Sequence, residues 1–442
     1  MGSPEIHHFS DNPPGISRRS VLKGMAHGAA AGALLPFLDF RQRGASYQSL
    51  KQAAALLDQN KEVGDERFWT LVKNQFPIKE GLIMLNAANL CPAPVIVQNR
   101  VIELLKDINA DPSFANRAKF SELKEKARKA LAEYVGADEN EIAIVRNTSE
   151  GNNFVINGVT LGKNDEVIIW DQNHPTANIA WDVGAARFGY RVVRVNIPKS
   201  PESPDDLIKP FVQAMSRRTK MLAFSHVSNV SGVRIAAKHL CAMARERGIM
   251  TLVDGAQTFG TFPLDLHDMG CDFFTASSHK WFCGPKEVGI LYVRRERIES
   301  LYPTLVGVGW EAARERGARK FETLGQQDDS RVSAMVEAAQ FHNTLGKLRI
   351  SSRAKRLADA VKEGLKKKIP SIKFVTPTEH PMCWGVVVFQ VPGLDSRRAM
   401  EALYGKHDIG CAAMGPNIRY SPHFYNSLSE VERAVDAVAR LI

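Results

Sequence analysis

The sequence predicts an α/β protein: a large domain on a mainly parallel, seven-stranded sheet, followed by a smaller C-terminal α/β domain. Three observations carry that expectation. Between about 140 and 295, seven short apolar runs alternate with helical patterns. The runs are near-continuously apolar, which suits strands covered on both faces, and helical crossovers join strands in parallel. From about residue 330 the pattern changes to helices separated by isolated strands.

The elements follow in order. Ser17-Arg18-Arg19-Ser20-Val21-Leu22-Lys23 precedes a small, apolar run from Gly24 to Leu38. A basic segment before an apolar run of that length reads as an export signal and not as a spanning helix. The paired arginines resemble a twin-arginine signal, with Val21 where Phe is favoured. Residues 1–45 are therefore assigned to signal and linker, with export machinery of that kind as a partner and a periplasmic or otherwise exported location. Residues 46–90 form an N-terminal arm, helical over 47–78 and ending in the loop Leu85–Pro92. Residues 91–325 form the large domain, opening with helices over 94–108 and 117–135. Its strands are expected at Glu141–Val145, Val167–Trp170, Arg191–Val195, Met221–Ser225, Met250–Asp254, Asp272–Ala276 and Val288–Val293. The last follows a short loop and is open to an antiparallel placement. Residues 326–442 form the small domain: helices over 331–347 and 351–368, a strand Trp384–Gln390, a helix over 396–404, a strand over 417–421 and a helix over 428–441.

Composition narrows the function classes. At about 150 residues per domain, 442 residues make two to three domains. With 44% apolar and 24% charged residues the chain is neither disordered, collagen-like nor a disulfide knot. Beyond the first forty positions no apolar stretch reaches about 18 residues, so no span is expected in the mature protein. The net charge of +10 suits an anionic ligand, but the excess is diffuse. Runs such as Lys366-Lys367-Lys368 read as solvated helix ends without aromatic interleaving, so no nucleic-acid partner is expected. The six cysteines (Cys91, Cys241, Cys271, Cys283, Cys383 and Cys411) lack metal-type spacing, and no metal is expected. Gly158–Asn164 mimics a phosphate loop but is one residue short between its glycines, with Asn164 where Ser or Thr would hold magnesium. There is no Gly-x-Ser-x-Gly elbow.

Four features fall at strand ends, where open α/β sheets gather ligands. Asn147-Thr148-Ser149 leaves a strand and opens a helix, a seat for an anion such as phosphate. Asp254 ends a buried strand, where a carboxylate needs a cation or hydrogen bonds. Lys280 follows the next strand, where a desolvated amine becomes nucleophilic. Arg419, in the small domain, suits bidentate carboxylate binding. Alone, these are an ordinary helix cap, a turn-capping Asp, a surface lysine and an edge-strand arginine. Together they are the parts a pyridoxal phosphate enzyme needs.

These residues resemble the class V aminotransferase family, which includes cysteine desulfurases and isopenicillin N epimerase-like enzymes; the resemblance runs from about residue 80 to the C-terminus. Ser277-Ser278-His279-Lys280 with Gly284-Pro285 and Val288-Gly289 matches the family's lysine signature. It implies pyridoxal 5'-phosphate bound covalently to Lys280, with Ser277 and His279 on the phosphate beside Thr148 and Ser149. Asp254 and Gln257 match residues on the pyridine nitrogen and the phenolic oxygen. Asn229, in Ser228–Gly232, matches an asparagine near the ring. His174, in Asp171–Pro175, resembles the residue stacked on it. Arg419 resembles the substrate arginine, and Asn89 lies in a loop assigned to substrate contact. The resemblance also implies a fold-type-I homodimer with sites at the subunit interface, where Gln326 stands in the segment reaching the neighbour's phosphate, although the family often has Thr there. Cys411 lies about two positions from the desulfurase cysteine, with Asp408 where an arginine usually precedes it, and reads as structural. The expected activity is thus that of an aminotransferase or epimerase on an amino acid or amino-acid-derived peptide, tailoring an exported metabolite such as a siderophore. The competing expectations are a cysteine desulfurase or C–S lyase, and a non-catalytic protein that kept the fold.

Overall fold

The computed structural model describes residues 40–57, 65–198 and 201–442. The twin-arginine motif and its apolar run lie outside the described residues. In chain order the strands are β1 (Ile83–Met84), β2 (Ile142–Val145), β3 (Glu166–Trp170), β4 (Arg191–Val195), β5 (Thr219–Ser225), β6 (Met250–Asp254), β7 (Phe273–Ser277), β8 (Gly289–Val293), β9 (Lys373–Phe374), β10 (Val387–Gln390), β11 (Ile409–Gly410), β12 (Ala412–Met414) and β13 (Asn417–Tyr420).

The large sheet runs β2-β8-β7-β6-β5-β3-β4. Pairing is parallel from β4 through β3, β5 and β6 to β7, while β8 lies antiparallel between β7 and β2. Every residue of β2, β3, β7 and β8 is buried, as the continuous apolar runs require. Alternate residues serve two cores. Ile168, Trp170, Leu222, Phe224, Val253 and Phe274 join one, with the helices Phe114–Val135, Pro204–Ala214 and Ala237–Glu246. Val167, Ile169, Met221, Ala223, Leu252 and Phe273 join the other, with the helix Thr148–Gly158. The edge strand β4 breaks the apolar pattern: Arg191 and Arg194 face water and pair with Glu166 and Asp182, a charged edge that discourages further strand pairing.

The C-terminal region carries an antiparallel sheet, β12-β13-β10-β9. Its link to the N-terminal arm was not expected. β1 pairs in parallel with β11, and Asn86 bridges Ser421, so the Leu85–Pro92 loop is pinned to the β13 end. A two-residue strand carries no periodicity, and its partner lies over 300 residues away in sequence. The expected helix over 331–347 is broken into Asp329–Ser333 and Met335–Leu345, and a left-handed Gly346 (φ 85°) starts Lys347–Lys368. The expected strand from Trp384 begins only at Val387. Among the described residues, no helix is long and apolar enough to cross a membrane.

A buried ion pair joins the helix Phe114–Val135 to the segment after the large sheet. Arg128, 1% exposed at its side chain, meets Glu322, 5% exposed, through both guanidinium ends. Arg128 also donates to the Ile142 carbonyl at 2.7 Å, and Lys124 reaches Glu322 at 2.7 Å. Burial alone would push the Glu322 carboxyl up, but Arg128 and Lys124 more than reverse this and hold it below the usual range. A depressed carboxyl stabilises the fold above its unfolded value, and that contribution is lost as pH falls through the folded one. Arg128→Met leaves Glu322 with Lys124 and the Ile144 backbone N–H and is expected to cost about 3–5 kcal/mol, read as a lower denaturation midpoint at pH 7. An unchanged midpoint would refute the assignment.

Candidate active site

The strand ends converge by register. Ser225 stands opposite Asp254, Asp254 opposite Thr275, and Ser277 opposite Gly289, which also faces Val145. A cavity of about 290 Å³ opens there. Its wall includes Asn89, Thr148, Ser149, His174, Asn229, Asp254, Gln257, Ser277, His279, Lys280 and Arg419. Of the expected site residues only Gln326 lies elsewhere: it is exposed, and its side-chain oxygen accepts from Arg117 at 2.8 Å. A larger groove of about 600 Å³ passes Leu90–Ala93 and Gly284–Lys286. It is mostly apolar and holds no carboxylate, so the chemistry belongs to the smaller cavity.

At one end, Asn147 caps the helix Thr148–Gly158 by accepting from Glu150 N at 3.0 Å. Thr148 is tied to Ser277: its backbone N–H donates to Ser277 Oγ at 2.8 Å, and the two hydroxyls lie 2.7 Å apart. The helix start, the Ser149 and Ser277 hydroxyls and His279 make an anion seat. Burial, then Lys280 and Lys286, push His279 down to about 4, so its ring is neutral near pH 7 and offers one N–H.

In the middle, Asp254 is 7% exposed. Its oxygens accept from Ala256 N at 3.0 Å and from Asn152 Nδ2 at 3.1 Å, and among the described residues it makes no ion pair. Lys280 shares the cavity, and burial lowers its pKa, with Asp254 opposing and Arg419 assisting. Gln257 is held at both ends, donating to the Ala88 carbonyl at 3.0 Å and accepting from Trp281 Nε1 at 2.7 Å. One amide proton remains for a ligand. His174 caps the helix Pro175–Phe188, accepting from Thr176 N at 3.3 Å, and burial and Lys280 lower its pKa.

At the far end, Arg419 is buried and brought to about 10 by desolvation. It donates to the Asn229 carbonyl at 3.1 Å and to Asn86 Oδ1 at 2.9 Å, and its Nε has no partner among the described residues. Cys411 is buried, its thiol pushed up to about 12 by desolvation, and it does not line the cavity.

Sequence reasoning missed Asn152, Asn86, Thr275 and Trp281. Thr275 Oγ1 donates to Asn152 Oδ1 at 2.6 Å, which orients the amide toward Asp254. Asn152 sits four residues after Thr148, on the same helix face, so helical spacing held a signal for it. Asn86 has no such signal, because its partner comes from β13.

The arrangement fits pyridoxal phosphate. Asp254 is a buried carboxylate lacking a cation, Lys280 is a desolvated amine, and the helix start awaits an anion; a protonated pyridine, an aldehyde and a phosphate complete them. The chain belongs to the aminotransferase class-V family, whose model matches residues 84–434. This is a family of pyridoxal phosphate-dependent enzymes. Over 391 residues the chain is 30% identical to isopenicillin N epimerase of Streptomyces clavuligerus, covering 84% of this chain and 98% of the relative. It is 27% identical to a probable cysteine desulfurase 2 of Mycobacterium leprae, over 72% of this chain and 81% of that protein. A solved structure of a C-DES mutant, with glycine covalently linked to its pyridoxal phosphate cofactor, matches with a TM-score of 0.76 at 23% identity, over 83% of this chain and 98% of the other. That likeness bears on the fold alone.

Asn152→Ala removes a hydrogen bond to the Asp254 carboxylate and is expected to weaken pyridoxal phosphate binding by about tenfold, the value of one bond to a charged group. Titrating apoenzyme with the cofactor by absorbance measures this; equal affinity would show that Asn152 does not support Asp254.

Proposed function

We propose that the protein acts on the α-amino group or α-carbon of an amino acid or amino-acid-derived peptide, as an aminotransferase or epimerase. The observation that carries this is the shared cavity: Lys280 and Asp254 face it together, with an arginine at the far end. Bound pyridoxal phosphate supplies an electron sink that acidifies the α-carbon of an attached amino acid. The chain's own residues do the rest. Thr148, Ser149, Ser277 and His279 hold the phosphate at the helix start. Asp254, aimed by Asn152, would keep the ring nitrogen protonated, and Gln257 has an amide proton that would serve the phenolic oxygen. His174 and Asn229 border the ring. Arg419 binds the substrate carboxylate, and Asn89 contacts the substrate at the mouth. With the cofactor bound, Lys280 would be the base that takes the substrate's α-proton. Its lowered pKa leaves more neutral amine near working pH. Return of that proton to the opposite face of the α-carbon would invert the centre, the epimerase outcome, whereas the aminotransferase outcome would use the cofactor's capacity to carry an amino group from one substrate to a second, keto-acid substrate.

Two further readings belong here. A homodimer, with Gln326 reaching its neighbour's phosphate, is supported by the exposed apolar Phe114, Val306, Val308 and Leu324 and by the apolar groove; sedimentation equilibrium at one chain mass would end it. Export through a twin-arginine route, and with it the tailoring of an exported metabolite such as a siderophore, rests on Ser17–Lys23 and the apolar run Gly24–Leu38 that follows it. Retention in the cytoplasm on cell fractionation would remove that support.

Lys280→Ala is expected to lose both the visible absorbance of the bound cofactor and all turnover; undiminished turnover would overturn the assignment. A spectral screen of amino acids and siderophore precursors against holoenzyme should find a substrate that shifts the absorbance. No shift with any amine would favour a protein that kept the fold without catalysis. The desulfurase or C–S lyase reading is favoured by the Mycobacterium leprae relative. It predicts sulfide or alanine released from cysteine, and in its desulfurase form a loss of that activity in Cys411→Ser. The buried, protonated Cys411 thiol argues against that form.

A further inference from the structure

Three segments enter the cavity, carrying Asn89, Lys280 and Arg419. Each sends a second side chain to one buried point behind it. Cys91 lies two residues after Asn89, Cys283 three after Lys280, and His423 four after Arg419. All three are buried, and their two sulfurs and a ring nitrogen lie within 4.8 Å of one another.

His423 is already oriented. Its Nε2 faces the Trp281 carbonyl at 2.7 Å, and a carbonyl only accepts, so Nε2 carries the proton. Nδ1 is therefore a lone pair, and it is buried without a partner among the described residues. A ring N–H on a backbone carbonyl is the usual outer support of a metal-bound histidine. We propose that Cys91, Cys283 and His423 bind a single zinc ion, a structural clamp behind the reaction cavity.

Two sulfurs and an imidazole are a zinc donor set. Zinc–sulfur bonds of about 2.3 Å in a tetrahedron set ligand separations near 3.7 Å. From separations of up to 4.8 Å, the two sulfurs and a ring nitrogen would draw together by about 1 Å. Three protein ligands leave the fourth tetrahedral position to water, beside the Tyr425 hydroxyl, which donates to Cys91 Sγ at 3.5 Å. Binding then replaces two S–H bonds with two Zn–S bonds and releases two protons to solvent, with no redox change. Zinc with two thiolates is neutral, which suits a buried site. The clamp would fix the Lys280 turn, where Cys283 N already donates to the Lys280 carbonyl at 2.9 Å and Cys91 N to the His279 carbonyl at 2.8 Å.

The test uses holoenzyme incubated with zinc(II), freed of excess metal and analysed by mass spectrometry. About one zinc per chain is expected, falling at least about tenfold in Cys283→Ala and in His423→Ala. Should the variants fail to fold, the wild-type chain suffices: cobalt(II) in its place should give thiolate–cobalt bands, and a mercurial reagent should release the zinc as thiols are modified. Less than one-tenth of a zinc per chain in wild type, undiminished zinc in both folded variants, or a Cys91–Cys283 disulfide in the unreduced protein would each overturn the proposal.

Discussion

The pairing of β6 with β7 is the constraint on which the site depends. Asp254 ends β6 and Lys280 lies three residues past β7, so parallel, in-register pairing of the two strands is what turns both toward one cavity. The same register places Thr275 opposite Asp254 and lets its hydroxyl hold Asn152 against the carboxylate. Burying a carboxylate is costly unless it is bonded, and here the strand pairing itself supplies the bonding. Gly255 follows from that packing: a Cβ there would lie 1.9 Å from the Phe274 ring.

The second half of the cavity is built differently. Arg419 enters from β13, and its guanidinium is aimed by Asn86 from the arm and by the Asn229 carbonyl after β5. The arm is in turn held by the parallel β1–β11 pair and the Asn86–Ser421 bridge. The Arg419 end of the cavity therefore depends on contacts between the arm and the C-terminal region, whereas the Asp254 end depends on adjacent strands. The Arg353–Glu66 pair, with Arg353 fully buried over the Trp69 ring, adds a further tie between arm and C-terminal region.

Much of this was legible in order along the chain. The seven apolar runs became the seven strands of one sheet, with ends shifted by at most two residues, because continuous burial on both faces leaves a local hydrophobic record. The antiparallel placement left open for the last run is the one observed. The strand-end residues Thr148, Asp254 and Lys280 were readable because a polar group directly after a buried run is locally anomalous. The short strands β1, β9, β11 and β12 were not, since two or three residues hold no period.

The amino-acid sequence by itself determined the layered α/β class, the strand-end chemistry and, through the Ser277–Lys280 signature, the family. Each is written in contiguous residues whose burial or spacing differs from their surroundings. Only the tertiary structure decided what aims those residues: Asn152 on Asp254, Asn86 on Arg419, Trp281 on Gln257, and the meeting of Cys91, Cys283 and His423. Such contacts join positions up to hundreds of residues apart, and hydrogen-bond direction between them is set by backbone placement, which leaves no trace in local composition.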